Sequence, residues 1–248
     1  MNKVSSSPLI SVKNLSISFI KKTDIVEVVD NISFDLLENE VLGIVGESGS
    51  GKSVTALSIL KLLPSKKTIS KGEVIYNNTN LLELNEARIR QVRRRDISII
   101  FQEPMSALNP TMKCVDQLRE CFEIENVKEK DIENEISLLI KKVKLDKIEN
   151  FNYKYPHELS GGQKQRLMIA MAIACKPKLL IADEPTTALD VTVQRDIIEL
   201  LLKIRSSEGL SIIFISHDLA LVSELADRLI VMYKLSLIHI SEPTRRRG

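Results

Sequence analysis

Apolar and polar positions alternate over much of the first third of the chain. The stretches LISVKNLSISF (residues 9–19) and VEVVDNISFDLL (residues 26–37) combine this alternation with many β-branched residues. Strands with one face on a core and the other in water show this pattern. A further short strand, EVIYNN, is expected to open at Gly72. This part of the sequence therefore predicts an antiparallel β-subdomain.

Continuous apolar runs of a different kind occur later. They are VLGIVG (residues 41–46), ISIIF (97–101), LLIAD (179–183) and SIIFIS (211–216). Runs without alternation are typical of parallel strands that are covered on both faces. Helices are predicted from Ser53 to about Leu63, from the LSGGQ stretch to about Cys175, and from Val193 to Arg205. Strands alternating with helices predict an α/β fold with a mainly parallel sheet.

The middle of the chain departs from this pattern. FQEPMSALNPT (residues 101–111) is loop-like, and the segment from Cys114 to Ile148 is charged, helix-periodic and free of proline. Such a segment favours helices with one solvated face. We therefore expect a helical subdomain, at about residues 104–160, inserted into the α/β core.

Composition narrows the possible partners. The hydrophobic fraction is 44% and the net charge is +2, to which Glu242 and the three arginines at 245–247 contribute all +2. Bulk charge therefore gives no reason to expect nucleic acid as a partner. The longest apolar run, LMIAMAIAC (residues 167–175), is too short to cross a bilayer, and the N-terminus lacks the apolar run of a secretory signal. A membrane role would have to come through a partner.

The cysteines are Cys114, Cys121 and Cys175, an odd number without CxxC spacing. This usage fits a reducing compartment better than a disulfide framework. Cys114 and Cys121 are at i and i+7 and would share a helix face. Buried small apolar residues are the interpretation that we favour, and a metal or redox role is the alternative.

One loop has the composition of a phosphate site. The pattern GxxxxGK[ST] is matched between a predicted strand and a predicted helix by Gly46, Glu47, Ser48, Gly49, Ser50, Gly51, Lys52 and Ser53. Its glycines would let backbone N–H groups turn inward around phosphates, and the positive end of the helix would add to the attraction. Lys52 would reach the terminal phosphates, and the Ser53 hydroxyl would ligate Mg²⁺. The alternative is a merely flexible Gly/Ser loop, which would leave the lysine and the flanking elements unexplained.

Two carboxylates follow the buried strand LLIAD. Asp183 would hold Mg²⁺, directly or through a water molecule, and Glu184 would orient and polarise an attacking water molecule. An incidental polar strand end is the alternative, but unpaired buried charge is costly.

Two other strands also end in polar residues. ISIIFQ ends at Gln102, whose side chain would reach either the metal or the attacking water, and SIIFISHD contains His217, which would contact the γ-phosphate. Each is weak evidence alone, because a structural polar residue is the commoner case. Ligand sites in such sheets lie beyond the carboxyl ends of the strands, which favours a shared site.

A second glycine-rich stretch, LSGGQKQR (residues 159–166), precedes a predicted helix. A serine N-cap with permissive glycines is one explanation, but it does not account for a pair of glycines. GESGSGKS, FQEP, LSGGQKQR, LLIADEPTTALD and ISHD, in this order and spacing, resemble the ATP-binding subunits of ABC transporters. The resemblance runs from about Leu9 to Tyr233. It implies a RecA-like P-loop NTPase core, with the β-subdomain and the inserted helical subdomain, over residues 1–234.

The resemblance also implies how the second stretch is used. Two such domains would pack head to tail, with ATP and Mg²⁺ held between the P-loop of one and the LSGGQ of the other. Ser160, the amides of Gly161 and Gly162, and Gln163 would then bind the γ-phosphate held by the partner. Asp190, at the end of TTALD, would contact the partner across the dimer.

Finer features resemble one importer branch. VGESGSGKSVTALSIL and FQEPMSALNPTMKCVDQLRE are similar to the ATPases of dipeptide, oligopeptide and nickel importers. This implies as partners a related second ATPase subunit, two transmembrane permease subunits and, indirectly, an extracytoplasmic solute-binding protein, with the chain at the cytoplasmic face of the membrane. Coupling would use the loop after Gln102 and the helical block. Phe19 would be an aromatic platform for adenine.

Two alternatives to a transport ATPase stay open. One is an ABC ATPase of DNA repair or translation, although these usually have two cassettes or a long coiled-coil insertion, and Ser53 and Leu159 are only a compact domain apart. The other is a fragment that binds nucleotide without turnover.

The end of the chain does not continue the resemblance. LSLIHISEPTR, from Leu235 to Arg245, matches residue for residue the in-frame translation of a transposase sequencing adapter. A divergent amphipathic end with a basic tip is the alternative. We expect residues 235–248 to be a non-native tail, and its arginines to form no nucleic-acid or lipid patch. Loss of the family's last strands would expose a sheet edge.

Overall fold

The computed structural model describes residues 7–21, 24–102, 107–123, 129–187 and 189–241. Its strands are β1 (Ile10–Lys21), β2 (Asp24–Leu36), β3 (Val41–Gly46), β4 (Thr68–Tyr76), β5 (Thr79–Asn80), β6 (Ile97–Ile100), β7 (Leu179–Asp183), β8 (Ser211–Ser216), β9 (Arg228–Tyr233) and β10 (Ser236–Ser241). Its α-helices are α1 (Lys52–Ile59), α2 (Glu86–Arg95), α3 (Cys114–Glu123), α4 (Glu129–Lys142), α5 (Gly161–Ile173), α6 (Val191–Glu208) and α7 (Leu219–Leu225). Short 3₁₀ helices cover Leu81–Glu83, Phe151–Tyr153 and Pro156–Glu158. Within these ranges, no helix is long and apolar enough to span a membrane.

The N-terminal strands form an antiparallel sheet in the order β2-β1-β4-β5. Ile10 on β1 is opposite Leu36 on β2 and Tyr76 on β4, and all three side chains are buried. The antiparallel pairing follows the alternation of apolar and polar residues, because one face of this sheet packs against the core. The predicted β-subdomain is confirmed.

β4 begins earlier than predicted. It starts at Thr68, and Gly72 lies inside the strand at a shift in its register with β1. Gly72 has φ 95°, and a Cβ there would lie 2.3 Å from the Asn14 carbonyl oxygen. A glycine in the sequence can mark either a bulge within a strand or a turn before it, because both often need a backbone conformation that other residues disfavour. Here Gly72 marks a bulge.

The second sheet has the order β10-β9-β3-β8-β7-β6. The pairs β9–β3, β3–β8, β8–β7 and β7–β6 are parallel, and only β10 is antiparallel to its neighbour. On β8, Ile212 and Phe214 join one apolar core, and Ile213 and Ile215 join the other. Burial on both faces explains the continuous apolar runs, and the predicted parallel sheet is confirmed.

The helical segment packs against one of these two cores. Leu118 on α3 and Ile136 and Leu139 on α4 are buried in the same cluster as Leu167 on α5. The predicted helical content is present, and the described residues of this segment include α3, α4 and the 3₁₀ helices Phe151–Tyr153 and Pro156–Glu158. The bounds 104–160 of a separate subdomain stay a prediction.

α1 ends at Ile59, four residues before the predicted end at Leu63. The Leu62 N–H donates to the Leu57 carbonyl and the Lys61 N–H to the Ser58 carbonyl, while Lys61 has φ 52°. These two bonds and the left-handed residue form a Schellman motif, which closes the helix. A lysine rarely takes the position that glycine usually fills, so no residue before Pro64 indicates the end of the helix. The other two predicted helices agree more closely, since α5 ends at Ile173 and α6 covers the whole of 193–205.

The strand β10 lies in the predicted non-native tail. It pairs with β9, and the Asp30 N–H donates to the Leu235 carbonyl at 2.8 Å. β9 therefore has a strand on both sides, and β10 is the terminal strand of this sheet. The adapter origin of residues 235–248 stays a prediction.

We predict that Gly43→Ala lowers the thermal midpoint of unfolding. A Cβ at this position on β3 would lie 2.1 Å from Val222 Cγ1 on α7, and overpacking of this kind costs about 1–3 kcal/mol. Differential scanning fluorimetry would measure the effect. Adding Val222→Ala should recover part of the loss, and a Gly43→Ala protein as stable as the parent would contradict the packing described here.

Candidate functional site

Glycine is required at several positions of the loop between β3 and α1. A Cβ at Gly46 would lie 2.3 Å from the Met232 carbonyl oxygen, and one at Gly51 would lie 2.7 Å from the Val28 carbonyl oxygen. Gly49 and Gly51 have φ 81° and 97°, a region that side chains disfavour. Gly51 is the N-cap of α1, so the loop delivers the chain directly onto a helix N-terminus.

The loop is closed by its own lysine. Lys52 is 5% exposed, and its Nζ donates to the carbonyls of Gly46 at 2.7 Å and Glu47 at 2.9 Å. Ser50 Oγ is buried without a hydrogen-bond partner in the described residues. A buried orphan hydroxyl is costly, and a phosphate oxygen would satisfy it. The residues present therefore fit a nucleotide phosphate.

Asp183 lies beside this loop, at the end of β7. The Ser53 hydroxyl donates to Asp183 Oδ1 at 3.0 Å, and the Asp183 side chain is buried. Burial raises the pKa of Asp183, and the negative charge of Glu184 adds to this, while Ser53 and Lys52 oppose it. Burial likewise lowers the pKa of Lys52, against the attraction of Glu184 and Asp183. A divalent cation beside Asp183 would therefore be stabilising.

The metal prediction depends on few protein ligands. In the ranges that the structure covers, no group of three or more His, Cys, Asp or Glu side chains could hold a metal ion. Mg²⁺ commonly uses one or two carboxylates together with substrate phosphates, so the Ser53 and Asp183 pair fits it. Gln102, the third predicted ligand, hydrogen-bonds to Glu184 instead.

Glu184 is the meeting point of the predicted catalytic residues. Its Oε2 accepts a hydrogen bond from Gln102 Nε2 at 3.0 Å and lies 3.2 Å from His217 Nδ1. The Glu184 side chain is 12% exposed, and its backbone, at φ 45°, is held by an N–H bond to the Ile215 carbonyl. The structure thus brings together the three side chains that the strand ends predicted.

Sequence reasoning missed a fourth member of this cluster, Thr187. Its hydroxyl donates to Glu184 Oε2 at 2.9 Å. The available signal was local, because a Ser or Thr three residues after an acidic residue, with proline between them, favours a turn in which the hydroxyl bonds back.

The signature stretch begins α5. Ser160 is the N-cap, its Oγ accepts from the Gln163 N–H at 3.3 Å, and the Gln163 side chain accepts from the Ser160 N–H at 2.9 Å. This reciprocal pair is a capping box. Within the described ranges, no hydrogen bond or ion pair joins residues 160–163 to residues 46–53.

The glycine pair has a packing reason that the sequence analysis did not find. A Cβ at Gly162 would lie 2.5 Å from Val193 Cγ1, and one at Gly161 would lie 3.3 Å from Leu189 Cδ2. The start of α5 therefore approaches the start of α6 closely. Asp190 is the N-cap of α6 and accepts from the Val193 N–H at 3.0 Å. The N-cap alone does not account for the glycine pair, and this close packing is a structural reason beside the predicted binding role, which stays a prediction.

Phe19 lies near the end of the pairing between β1 and β2, where Lys21 and Asp24 are exposed. It is opposite Val26 on β2 and Thr68 on β4, and it is half-buried. Nearby Ile20 and Ile25 are exposed. β2 also passes the P-loop, since Val28 faces Gly51. The adenine role of Phe19 stays a prediction.

The cysteines take no part in this cluster. All three are free thiols, and burial raises the pKa of Cys114 to about 11 and that of Cys121 to about 12. The Cys121 thiol donates to the Gln117 carbonyl, as a small buried side chain would. Thiols of this kind are poorly reactive.

Curated relatives of known name are similar over most of the chain. The dipeptide transport ATP-binding protein DppD of Haemophilus influenzae is 49% identical over 226 residues, which is 91% of this chain and 68% of that protein. The peptidoglycan transport ATP-binding protein YejF of Agrobacterium fabrum is 47% identical over 96% of this chain, which spans 44% of that protein.

Solved structures share the fold. The dimeric cassette MJ0796, in a post-hydrolysis state bound to ADP and Pi, has a TM-score of 0.82 and 26% identity, covering 96% of this chain and 99% of that one. CbiO1 from Clostridium perfringens, part of the ABC transporter complex cbiONQ, also has a TM-score of 0.82, with 27% identity, and the match covers 95% of this chain and 89% of that one. The sequence profile of the ABC transporter family matches residues 29–187. The chain therefore belongs to the ABC transporter family and carries its ATP-hydrolysing cassette.

Proposed function

We propose that this cassette powers the import of di- or oligopeptides. The relatives named for dipeptide and peptide transport support the substrate class, at 44–49% identity over more than nine-tenths of the chain. The observation that carries the catalytic part is the placement of Glu184 directly after Asp183, with Ser53 and Lys52 alongside.

Each residue would have a distinct role in ATP hydrolysis. Lys52 would exchange its bonds to the Gly46 and Glu47 carbonyls for bonds to phosphate oxygens. Ser53 and Asp183 would hold Mg²⁺, which supplies charge neutralisation on the phosphates. Glu184 would orient and polarise the attacking water molecule and draw its proton toward the carboxylate.

Gln102 and His217 would share this work. Both contact Glu184 Oε2, so they help to hold its carboxylate. His217 is 61% exposed at its side chain and would turn toward the γ-phosphate, while Gln102 would reach the metal or the water molecule.

The site would be completed by a second cassette. Ser160, Gly161 and Asp190 are exposed, and in the described part of the chain no hydrogen bond or ion pair joins residues 160–163 to the P-loop. The post-hydrolysis MJ0796 cassette is a dimer, which supports this arrangement. We propose that the partner is a related ATPase subunit and that closure of the dimer on ATP, followed by hydrolysis, drives the transport cycle.

An apolar groove offers a contact surface for a permease. The cavity, of about 280 Å³, lies at the edge strand β6 and is lined by Leu60, Leu62, Arg93, Ile97, Ser98, Ile99, Phe101 and Ala172. Leu62 and Phe101 are 36% and 39% exposed. An apolar groove next to Gln102 would link permease movement to the catalytic cluster. We propose that such contact would hold the chain at the cytoplasmic face of the membrane, and that the solute-binding protein would be reached only through the permeases.

We expect Glu184→Gln to lower ATP turnover by at least about 100-fold, because a general base contributes about 10²–10⁴-fold. ATP binding should remain, since the P-loop contacts are unchanged. Phosphate release would measure turnover, and equilibrium binding of a fluorescent ATP analogue would measure affinity. Glu73→Gln, at an exposed position on β4, is the matched control. Equal turnover of Glu184→Gln and the parent would refute catalysis by this residue.

Asp183→Asn should stabilise the protein without ligand near pH 7. Because the pKa of Asp183 is raised in the folded protein, folding favours the protonated carboxyl and disfavours the ionised one. The stability that the protonated form contributes is therefore present at low pH and is lost as the pH rises through the raised pKa. Asparagine stays neutral, and each kcal/mol gained raises the midpoint by about 2–4 °C.

Thermal unfolding at pH 7.5 and pH 4.5, with and without Mg²⁺ and ADP, would test this. The gain should shrink at pH 4.5, and the extra protection given by Mg²⁺ should disappear in the variant. A lower midpoint for Asp183→Asn at pH 7.5 would show that the hydrogen bond from Ser53 and the attraction of Lys52 outweigh the cost of burial.

Leu62→Glu should block uptake of a labelled dipeptide by cells in which it replaces the native residue, because it places a charge in the apolar groove. ATPase activity of the purified chain should stay within about twofold of the parent, since surface changes away from the site have small effects. Leu37→Glu, at a leucine of similar exposure (38%) between β2 and β3, is the control and should leave uptake intact. Normal uptake by the Leu62→Glu cells would exclude this groove as the permease contact.

A further inference from the structure

Thr187 is bonded to Glu184 twice. Its hydroxyl donates to Glu184 Oε2 at 2.9 Å, and its backbone N–H donates to the Glu184 carbonyl at 3.2 Å. The four residues from Glu184 to Thr187 thus close a turn, with Pro185 at the position that favours it. Both bonds are local, so they depend on no other element of the fold.

The other two donors to Glu184 are not local. Gln102 follows β6 and His217 follows β8, at sequence separations of 82 and 33 residues. Both carry predicted roles toward phosphate, metal or water, which would require them to leave Glu184. Thr187 has no such role and stays attached to the same turn as Glu184.

All three donors use the same oxygen. Oε2 receives Gln102, Thr187 and His217, whereas Oε1 of Glu184 receives no hydrogen bond in the residues that the structure describes. A bond to Oε2 therefore fixes the rotation of the carboxylate and leaves Oε1 open to a water molecule.

We propose that Thr187 is a positioning residue for hydrolysis, which holds the Glu184 carboxylate with Oε1 toward the attacking water when Gln102 and His217 have turned away. This inference rests on the proposed catalytic role of Glu184. It assigns a function to the hydroxyl of Thr187 that a simple turn cap would not have, because the acceptor is the reacting carboxylate.

Thr187→Val keeps the shape of the side chain and removes the donor. We expect turnover to fall about tenfold, as for a misoriented general base. The KM for ATP, the affinity for the ATP analogue and the thermal midpoint should stay at parental values. Thr187→Ser restores a hydroxyl and should recover most of the turnover.

Glu184→Gln provides the second arm. In that background, Thr187→Val should cause no further loss, because residues that act through one another are non-additive. Normal turnover of Thr187→Val, an equal loss in Thr187→Ser, or a change confined to the thermal midpoint would each overturn the inference. Full turnover of Glu184→Gln would contradict the proposed catalytic role of Glu184. Full turnover of Thr187→Val alone, with Glu184→Gln inactive, would contradict only the role of Thr187.

Discussion

The candidate site depends on the parallel register of the central sheet. Because β6, β7 and β8 run in one direction, their carboxyl ends meet at a single edge. Ile100 is paired with Ala182, so Gln102 and Glu184 each lie two residues beyond a paired position, and Ile215, paired with Asp183, is two residues before His217. A slip of one residue would turn every apolar side chain of a strand to the wrong face. The two buried cores therefore fix the relative positions of Gln102, Glu184 and His217.

The positions of β1, β2, β3, β6, β7 and β8, and the residues at the ends of the last three, were predictable from the sequence, because burial on one or two faces leaves a direct pattern of apolar residues. The strand β9 was not predicted, and the start of β4 was predicted too late. The pattern of apolar residues does not indicate which elements pack closely against each other, or the exact residue at which a helix ends. Lys61 in a left-handed conformation closes α1, and Gly162 is required by Val193, thirty-one positions later in the sequence. Thr187 was missed for another reason, since a threonine in a turn has many uses and only its distance to Glu184 selects one.

The buried charged groups of the site reduce the stability of the folded chain and favour the binding of a charged ligand. Burial disfavours the charges of both Lys52 and Asp183, and Ser50 has a buried hydroxyl without a partner in the described part of the chain. Stability given up at such groups is recovered when phosphate and a divalent cation bind. These groups therefore favour binding of nucleotide by the folded chain, because binding would relieve the cost of burying them.

The two helix N-termini of the signature region add a mechanical constraint. Gly162 lets α5 lie against Val193 at the start of α6, and Asp190 caps the same turn. A close contact of this kind is stiff, because protein interiors have almost no free volume. The Ser160 and Asp190 surfaces would therefore move together when α5 moves. If a partner cassette contacts Ser160 and Asp190 as predicted, it would contact both together. The effect would then reach the Glu184 turn as well, because that turn precedes Asp190 by six residues.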